Sequence, residues 1–338
     1  MPVIGEKPIF IVSAPRSGST LTRLILDAHP RIGIPSPAWL YEMVGPYLYS
    51  YGDLTVQKNL LSLAEDILAA PSIKDWTSQL TAEEMVAESK EPTFGGLYDT
   101  LHRKYAQDTG KSRWGEKTPR NCFWMEEIKS DFPDAQFVHI IRDGRDMAID
   151  IADSRLWPYS LYSGACMWEM FVSAAKESGA QLDADSYYEI HYEKLCADPE
   201  GELKKLCDFL GEDFSPQMLS HHQSDSAKGW GGGDALHART LRPITTDYCE
   251  LYKDRLSDND CAALEAKIGK LLKGWGYPVR DDPKPLAEKL ARQMLQSDTP
   301  SNPNYVPFKG WHAQRRQERK EAGVWQDEDR DSQLWGTL

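Results

Sequence analysis

Several features that would place this chain of 338 residues in a specialised class are missing from its sequence. No window holds eighteen apolar residues, so no membrane-spanning helix is predicted. The N-terminus lacks a basic segment followed by an apolar run, and we therefore expect a cytoplasmic protein. The six cysteines include no C-x-x-C pair, which favours reduced thiols over a zinc site or a disulfide framework.

Positive charge is also scarce, because 39 Lys and Arg residues face 52 Asp and Glu residues, a formal charge of −13. This balance argues against nucleic-acid binding, which needs a net basic face. Any anionic cofactor must therefore meet a local cluster of Arg and Lys. The apolar content of 41% and the charged content of 27% are typical of globular proteins, and the length allows one large α/β domain.

The most informative stretch joins a short apolar run at residues 9–12 to a helical pattern that begins at Leu21. The run predicts a buried parallel strand, and the pattern predicts an amphipathic helix. A turn at a helix N-terminus points unpaired N–H groups at one spot, where the helix dipole favours negative charge. The residues of this turn predict a phosphate or sulfate site: Arg16, Ser17, Gly18, Ser19 and Thr20.

This turn is not a nucleoside-triphosphate loop, because it lacks the G-x-x-x-x-G-K-[ST] pattern. Its cation is Arg16, two residues before the glycine. An ordinary strand–turn–helix junction rich in serine is the alternative interpretation.

A near-continuous apolar run at residues 136–141 predicts a second strand, and residues 187–191 are predicted to form a third, each followed by a helical pattern. Strands that alternate with helices favour a parallel, doubly wound sheet, in which ligands bind beyond the carboxyl ends of the strands. The turn after the first strand, Arg142 and Tyr192 all lie at that end. Their agreement supports an anion site there.

The rest of the chain divides into three predicted parts. Residues 54–112 carry a helical pattern and are expected to form an insertion within a domain of residues 1–280. Residues 281–338 are expected to be a charged, irregular C-terminal extension, and the glycines at 229–233 predict a flexible loop.

With these pieces placed, the sequence resembles the PAPS-dependent sulfotransferases, especially bacterial ones similar to tyrosylprotein sulfotransferases. Four motifs in the order of the family carry the resemblance: APRSGST at 14–20 with LDAHP at 26–30, EKTP at 116–119, FVHIIRDGRD at 137–146, and YEKL at 192–195 with DP at 198–199. The resemblance implies an α/β fold, a P-loop sulfotransferase-like parallel sheet flanked by helices.

The resemblance also implies roles for individual residues. The turn at residues 16–20 is expected to hold the 5′-phosphosulfate of PAPS, with Arg16 and Lys117 at the sulfonyl group. Arg142 is expected to bind the 3′-phosphate. The remaining residues implied near the cofactor are Ser154, Tyr192, Arg239 and Arg242, and no metal is implied.

Two departures from the family pattern concern catalysis and the 3′-phosphate. Pro37 and Pro119 stand where relatives carry a catalytic Glu or His. Asp150 stands where relatives place a phosphate-binding Ser, and an ionised carboxylate repels phosphate. Three explanations are open for Asp150: compensation by Arg145 and Arg155, replacement by Ser154, or a cofactor without a 3′-phosphate.

The sequence therefore predicts a sulfotransferase that moves sulfonate from PAPS to a hydroxyl or amine of a small molecule, releasing adenosine 3′,5′-bisphosphate. A small-molecule kinase and a nucleotide-binding protein without transferase activity are the alternatives, and oligomerisation is left open. Glu42 is the carboxylate nearest in the chain to Pro37, where relatives carry the catalytic base, and Glu42 is therefore the candidate base. We expect a neutral or cationic acceptor in a pocket that includes Trp39, Tyr41 and His237.

Overall fold

The computed structural model describes residues 7–74, 76, 80–154, 160–231, 238–281, 283–297, 317, 318 and 321. Five strands form one parallel sheet in the order β2-β3-β1-β4-β5: β1 Ile9–Ser13, β2 Ile32–Gly33, β3 Arg113–Lys117, β4 Gln136–Ile141 and β5 Tyr187–His191. The α-helices that the structure describes are α1 Ser19–Asp27, α2 Leu40–Met43, α3 Gln57–Leu68, α4 Ala82–Glu88, α5 Phe94–Asp108, α6 Met125–Asp131, α7 Gly144–Asp153, α8 Leu161–Gly179, α9 Tyr192–Ala197, α10 Pro199–Leu210, α11 Asp225–Gly231, α12 Tyr252–Arg255, α13 Asp258–Gly274 and α14 Glu288–Ser297.

β1 lies at the centre of the sheet and sends alternate side chains into two cores. Phe10 and Val12 face one core, which helices α3, α5, α7, α8 and α13 complete. Ile9 and Ile11 face the other, which α1, α9 and α10 complete. The period of two along a strand produces this division. Helices on both faces of a parallel sheet confirm the predicted α/β fold.

The register of β1 brings the carboxyl ends of three strands together. Ile11 of β1 pairs with Lys117 of β3 on one side and with Val138 of β4 on the other. The loops that follow β1, β3 and β4 therefore surround one place at the edge of the sheet. That edge is where open α/β sheets bind ligands.

The chain between β2 and β3 is largely helical and supplies much of the first core. Leu60, Leu63 and Ile67 form a buried stripe on α3, as their spacing of three or four residues predicts. Helices α4 and α5 follow within the stretch predicted to be an insertion.

Several segments differ from the sequence prediction, including α14, a helix within residues 281–338 that were expected to be irregular. Helix α8 was not predicted, and α11 extends through part of the glycine-rich stretch that was expected to be a flexible loop. The hydroxyl of Ser224 accepts a hydrogen bond from the N–H of Ala227 at 3.1 Å and starts α11 despite its glycines. Residues 232 and 233 of the same stretch lie outside the described residues. Within the described part of the chain, no helix has the length and apolarity needed to cross a bilayer.

Candidate functional site: two cationic centres at the edge of the sheet

The turn after β1 has an unusual backbone. Arg16 has a φ of 61° and Gly18 a φ of 94°, both in the left-handed region. A Cβ placed on Gly18 would lie 2.5 Å from Cδ2 of Tyr192. The first residue of α9 thus covers the turn so closely that only glycine fits beneath it.

Helix α1 begins directly after this glycine and points its N-terminus at the edge of the sheet. Gly18 is the N-cap residue and has no side chain to accept from the first N–H groups of the helix. Lys117, the last residue of β3, donates from Nζ to Oγ1 of Thr20 at 3.2 Å. The structure therefore brings together the predicted turn and Lys117, 97 residues apart in the chain.

A third cation, Arg23, was missed by the sequence analysis. It lies on α1 one turn after Thr20 and is buried, and Nη1 donates to the carbonyl oxygen of Ile34 at 2.9 Å. Its spacing of three residues from Thr20 was the available signal, since residues at i and i+3 share a helix face. We call Arg16, Arg23 and Lys117 at the N-terminus of α1 the α1 centre.

The α1 centre holds more positive charge than its surroundings favour. Burial lowers the pKa of Lys117 to about 7, and the charge of Arg23 and then that of Arg16 act in the same direction, against an opposing effect of Glu116. Burial also lowers the pKa of Arg23. An anion at this place would relieve the repulsion and satisfy the helix N–H groups.

A buried hydroxyl at the same turn fits an anionic ligand. The side chain of Ser17 is buried, and within the described residues its Oγ has no hydrogen-bond partner. Buried polar atoms in proteins are normally paired, so a donor without a partner in a cationic turn is an expected ligand contact.

A second cluster of cationic side chains follows β4, and this cluster includes a carboxylate. Arg142 donates from Nη1 to Oδ2 of Asp150 at 2.5 Å, and Arg239 lies 3.0 and 3.1 Å from the two oxygens of the same carboxylate. Burial alone would raise the pKa of Asp150, but the charges of Arg142 and Arg239 outweigh it and hold that pKa below its ordinary value. We call these three residues the Arg142 centre.

The Arg142 guanidinium also holds main-chain atoms of two loops. Nη1 donates to the carbonyl oxygen of Arg16 and Nη2 to that of Tyr248, both at 2.7 Å. The ring of Tyr192 lies 4.9 Å from the guanidinium carbon. Arg142 and Tyr192, which the resemblance placed near the cofactor, therefore border the turn after β1.

The alternatives raised for Asp150 can now be compared with its surroundings. Arg145 forms ion pairs with Asp143 and Glu265 instead. Ser154 donates its hydroxyl to the carbonyl oxygen of Ile151 at 2.7 Å. Arg142 and Arg239, rather than Arg145, balance Asp150.

The other residues that the sequence analysis named near the cofactor or acceptor are Arg242, His237 and Arg155. Arg242 is exposed and its main-chain N–H bonds to Arg239. His237 and Arg155 lie outside the described residues.

The residues predicted near the acceptor lie along the segment after β2. Glu42 is buried, and its Oε1 is 2.7 Å from Nε of Arg120. Burial raises the pKa of Glu42, and the charge of Arg120 opposes that shift. Trp39 is partly buried and has a φ of 59°.

Tyr41 requires a correction. Its side chain is buried among Phe94 and Tyr98, and its hydroxyl donates to Oδ2 of Asp131 at 2.8 Å. We therefore assign Tyr41 to the core and not to the acceptor pocket.

Glu116 fixes the segment that carries Trp39. Its carboxylate accepts hydrogen bonds from the N–H of Ala38, from Oγ1 of Thr118 and from Nδ2 of Asn121. Thr118 in turn accepts from the N–H of Trp39 at 3.2 Å. Because Glu116 and Lys117 are neighbours on β3, their side chains point to opposite faces: one fixes the acceptor-side segment and the other faces α1.

Comparison with known proteins gives a consistent result. A model of the sulfotransferase family matches residues 8–216. The chain is 27% identical over 223 residues to a Caenorhabditis briggsae protein named "Putative protein-tyrosine sulfotransferase", covering 64% of this chain and 70% of that protein. It is 25% identical over 221 residues to the protein-tyrosine sulfotransferase of Drosophila melanogaster, covering 64% of this chain and 40% of that protein.

The fold is similar to a solved structure as well. The sulfotransferase domain from the Synechococcus PCC 7002 olefin synthase superposes with a TM-score of 0.59 at 21% identity, covering 83% of this chain and 99% of that domain. This likeness concerns the α/β architecture of the sheet and its helices.

Proposed function

This chain belongs to the sulfotransferase family, and from that premise we propose that it moves a sulfonate group from PAPS to a hydroxyl or amine of a small molecule. Adenosine 3′,5′-bisphosphate is the other product. The kinase and the binding protein without transferase activity are not favoured, because family membership points to sulfonate transfer.

The observation that carries the proposal is the α1 centre. Lys117 bonds to Thr20 in the first turn of α1, and the charges of Arg23 and Arg16 both act on Lys117. The buried hydroxyl of Ser17 lies in the turn that carries Arg16. Cations and N–H groups held in place before the reaction stabilise charge that develops on transferring and leaving oxygens. The 5′-phosphosulfate end of PAPS fits this arrangement.

The chemistry asked of these residues is an in-line transfer. The bond from sulfur to the bridging oxygen breaks, that oxygen stays on the nucleotide phosphate with the electron pair, and the acceptor oxygen or nitrogen bonds to sulfur. Lys117 and Arg16 stabilise the charge on the sulfonyl and bridging oxygens. No metal ion is part of the proposal.

The proton that the acceptor loses needs a base, and we propose Glu42. Pro37 and Pro119 cannot accept a proton, and Glu42 is a buried carboxylate next to the segment that Glu116 fixes. Burial raises its pKa from the ordinary value, which brings a carboxylate closer to the range useful for a general base.

A neutral or cationic small molecule is the proposed acceptor. The formal charge of −13 disfavours a polyanionic acceptor. Two relatives carry the name protein-tyrosine sulfotransferase, so a tyrosine-containing peptide belongs among the acceptors tested. A cytoplasmic location is proposed with it, supported by six cysteines that are all free thiols.

The test is transfer of radioactive sulfonate from labelled PAPS to a panel of alcohols, amines, phenols and a tyrosine peptide. The Lys117→Ala variant is expected to lose about a hundredfold or more in turnover, the usual effect of losing one transition-state donor. Lys104→Ala, which removes a partly exposed lysine paired with Asp108 on α5, is the matched control and is expected to keep its turnover.

Labelled phosphate transfer from ATP with no transfer from PAPS would contradict the proposal. Sulfonation of the peptide alone would retain the sulfotransferase and overturn only the small-molecule acceptor.

A further inference from the structure

The two cationic centres lie side by side but differ in what balances their charge. Arg142 of the second centre contacts the carbonyl oxygen of Arg16 of the first, so both border one turn. A ligand bound at this turn meets both centres. The net charge of each centre therefore indicates which part of that ligand is negatively charged.

In the α1 centre, Lys117 is not hydrogen-bonded to a carboxylate of the described residues. The Lys117 ammonium bonds to the hydroxyl of Thr20, and the carboxylate next to it in sequence, Glu116, is engaged with Ala38, Thr118 and Asn121 on the other face of β3. Lys117 beside the first turn of α1, with the charges of Arg16 and Arg23 acting on it, suits an incoming anion at the helix N-terminus.

The Arg142 centre is already balanced. The side chains of Arg142 and Asp150 are each 3% exposed, and their carboxylate–guanidinium contact is as short as charge-assisted hydrogen bonds become. Arg239 adds a second guanidinium to the same carboxylate. The other bonds of Arg142 go to main-chain oxygens of Arg16 and Tyr248, so both of its Nη groups already bond to the protein.

The net charge of the Arg142 centre shows how Asp150 would affect the binding of a 3′-phosphate there. Two guanidinium groups and one carboxylate leave a net charge of about +1, whereas a phosphate monoester at neutral pH carries about −1.5 to −2. With a neutral residue at position 150, the same phosphate would meet a charge of about +2. The ionised carboxylate accepts from Nη1 of both guanidinium groups and repels the phosphate.

We propose that Asp150 is a specificity-determining residue that replaces the 3′-phosphate of the donor. The donor site consequently binds an adenosine 5′-phosphosulfate about as well as its 3′-phosphorylated form. This inference rests on the proposed function, because it assumes an adenosine phosphosulfate at the α1 centre. It corrects the expectation that Arg142 binds a 3′-phosphate: the guanidinium binds Asp150.

The test compares two stable nucleotides by isothermal titration calorimetry: adenosine 3′,5′-bisphosphate and adenosine 5′-monophosphate. The wild-type protein is expected to bind them with affinities that differ by less than tenfold. Asp150→Ser is expected to raise the affinity for the bisphosphate at least tenfold and to change that for the monophosphate less than threefold.

Asp153→Asn is the matched control. It removes one carboxylate from the same helix, where Asp153 forms an exposed ion pair with Arg255, and is expected to leave the preference unchanged. Asp150→Asn keeps the shape of the side chain and serves if Asp150→Ser does not fold.

Three results overturn the inference. A wild-type preference of tenfold or more for the bisphosphate shows that a 3′-phosphate is recognised despite Asp150. An unchanged preference in folded Asp150 variants shows that Asp150 does not set it. Binding of neither nucleotide at millimolar concentration overturns the proposed function itself, and is distinguished from the other two results by the missing monophosphate signal.

Discussion

The guanidinium of Arg142 donates a hydrogen bond to the main-chain carbonyl oxygen of Arg16 at 2.7 Å. Arg16 has a left-handed backbone, which costs a non-glycine residue free energy and persists only where the surroundings hold it. The ring of Tyr192 covers Gly18 in the same turn. Residues after β4 and β5 thus fix the anion-binding turn that follows β1.

Removing Arg142 should therefore affect folding as well as binding. Arg142→Ala releases the carbonyl of Arg16 and removes the shorter of the two guanidinium contacts that the structure describes for the buried Asp150. Removing one partner of a buried ion pair costs about 3–5 kcal/mol. We expect a lower free energy of unfolding in urea by roughly this amount, and weaker binding of adenosine 5′-monophosphate.

A double-mutant cycle separates the charge effect from the loss of packing. The variant with both Arg142→Ala and Asp150→Ala has no unpaired carboxylate, so it should be more stable than Arg142→Ala alone. Strict additivity of the two substitutions would contradict the ion pair as the source of the effect.

Gly18 provides a test of how closely Tyr192 covers the turn. Gly18→Ala combines a left-handed φ of 94° with a Cβ only 2.5 Å from the tyrosine ring. We expect it to weaken nucleotide binding at least tenfold and to lower the melting temperature.

Gly110→Ala is the matched control, because its φ is 72° and a Cβ there meets nothing within 4 Å. It should lose about 1 kcal/mol from backbone strain and keep its binding. Equal loss of binding in both variants would show that strain alone, and not the tyrosine, limits position 18.

The sequence predicted the strands of this fold more accurately than its helices. β1, β4 and β5 were predicted within one residue of their observed bounds. β1 and β4 are buried on both faces, and such strands are nearly continuous apolar runs. α8 was missed because it lies between α7, α13 and the sheet and is apolar on several sides, so its sequence shows no single stripe.

The site was predictable where the carboxyl ends of strands define it. Arg142 and Tyr192 follow from that rule, whereas Lys117 was implied by the resemblance. The contact of Arg239 with Asp150 joins residues 89 apart through a loop, and no local pattern in the sequence indicates it. Tyr41 was wrongly predicted to line the acceptor pocket, because an aromatic residue that is close to a site in the chain can equally belong to the core. No sequence pattern indicated its hydrogen bond to Asp131.

The lowered pKa of Lys117 predicts that anion binding takes up a proton. In the free protein this pKa is about 7, and an anion at the α1 centre favours the charged ammonium and raises it. At pH 8 a mostly neutral Lys117 should therefore bind close to one proton together with adenosine 5′-monophosphate. The affinity should fall as the pH rises above 7, by up to about tenfold per pH unit.

Calorimetry in buffers of different ionisation enthalpy measures this uptake. Lys117→Arg is the control, since a guanidinium stays charged over the whole range and has no proton to gain. The same uptake in wild type and Lys117→Arg would assign the proton to another group.

The last prediction concerns Glu42 as the base. A carboxylate accepts a proton only when ionised, so kcat/KM should fall as the pH drops through the pKa of Glu42. Arg120, 2.7 Å from Glu42, lowers that pKa against the effect of burial. Arg120→Gln should therefore raise the pKa and move the acidic limb of the profile to higher pH. Glu42→Gln should lose about a hundredfold in activity on an alcohol, and less on an acceptor that ionises easily.

A purely structural ion pair predicts a different pattern. If Glu42 only stabilises the fold through Arg120, both substitutions lower the melting temperature but leave the acidic limb where it is. Arg255→Gln, which breaks the exposed pair with Asp153, provides the baseline for losing one arginine. An acidic limb that stays in place in folded Arg120→Gln, together with equal losses of Glu42→Gln on alcohols and acidic acceptors, would remove Glu42 from the mechanism. A shifted acidic limb would instead show that Glu42 takes the proton of the acceptor, because the charge of Arg120 changes the pKa of Glu42.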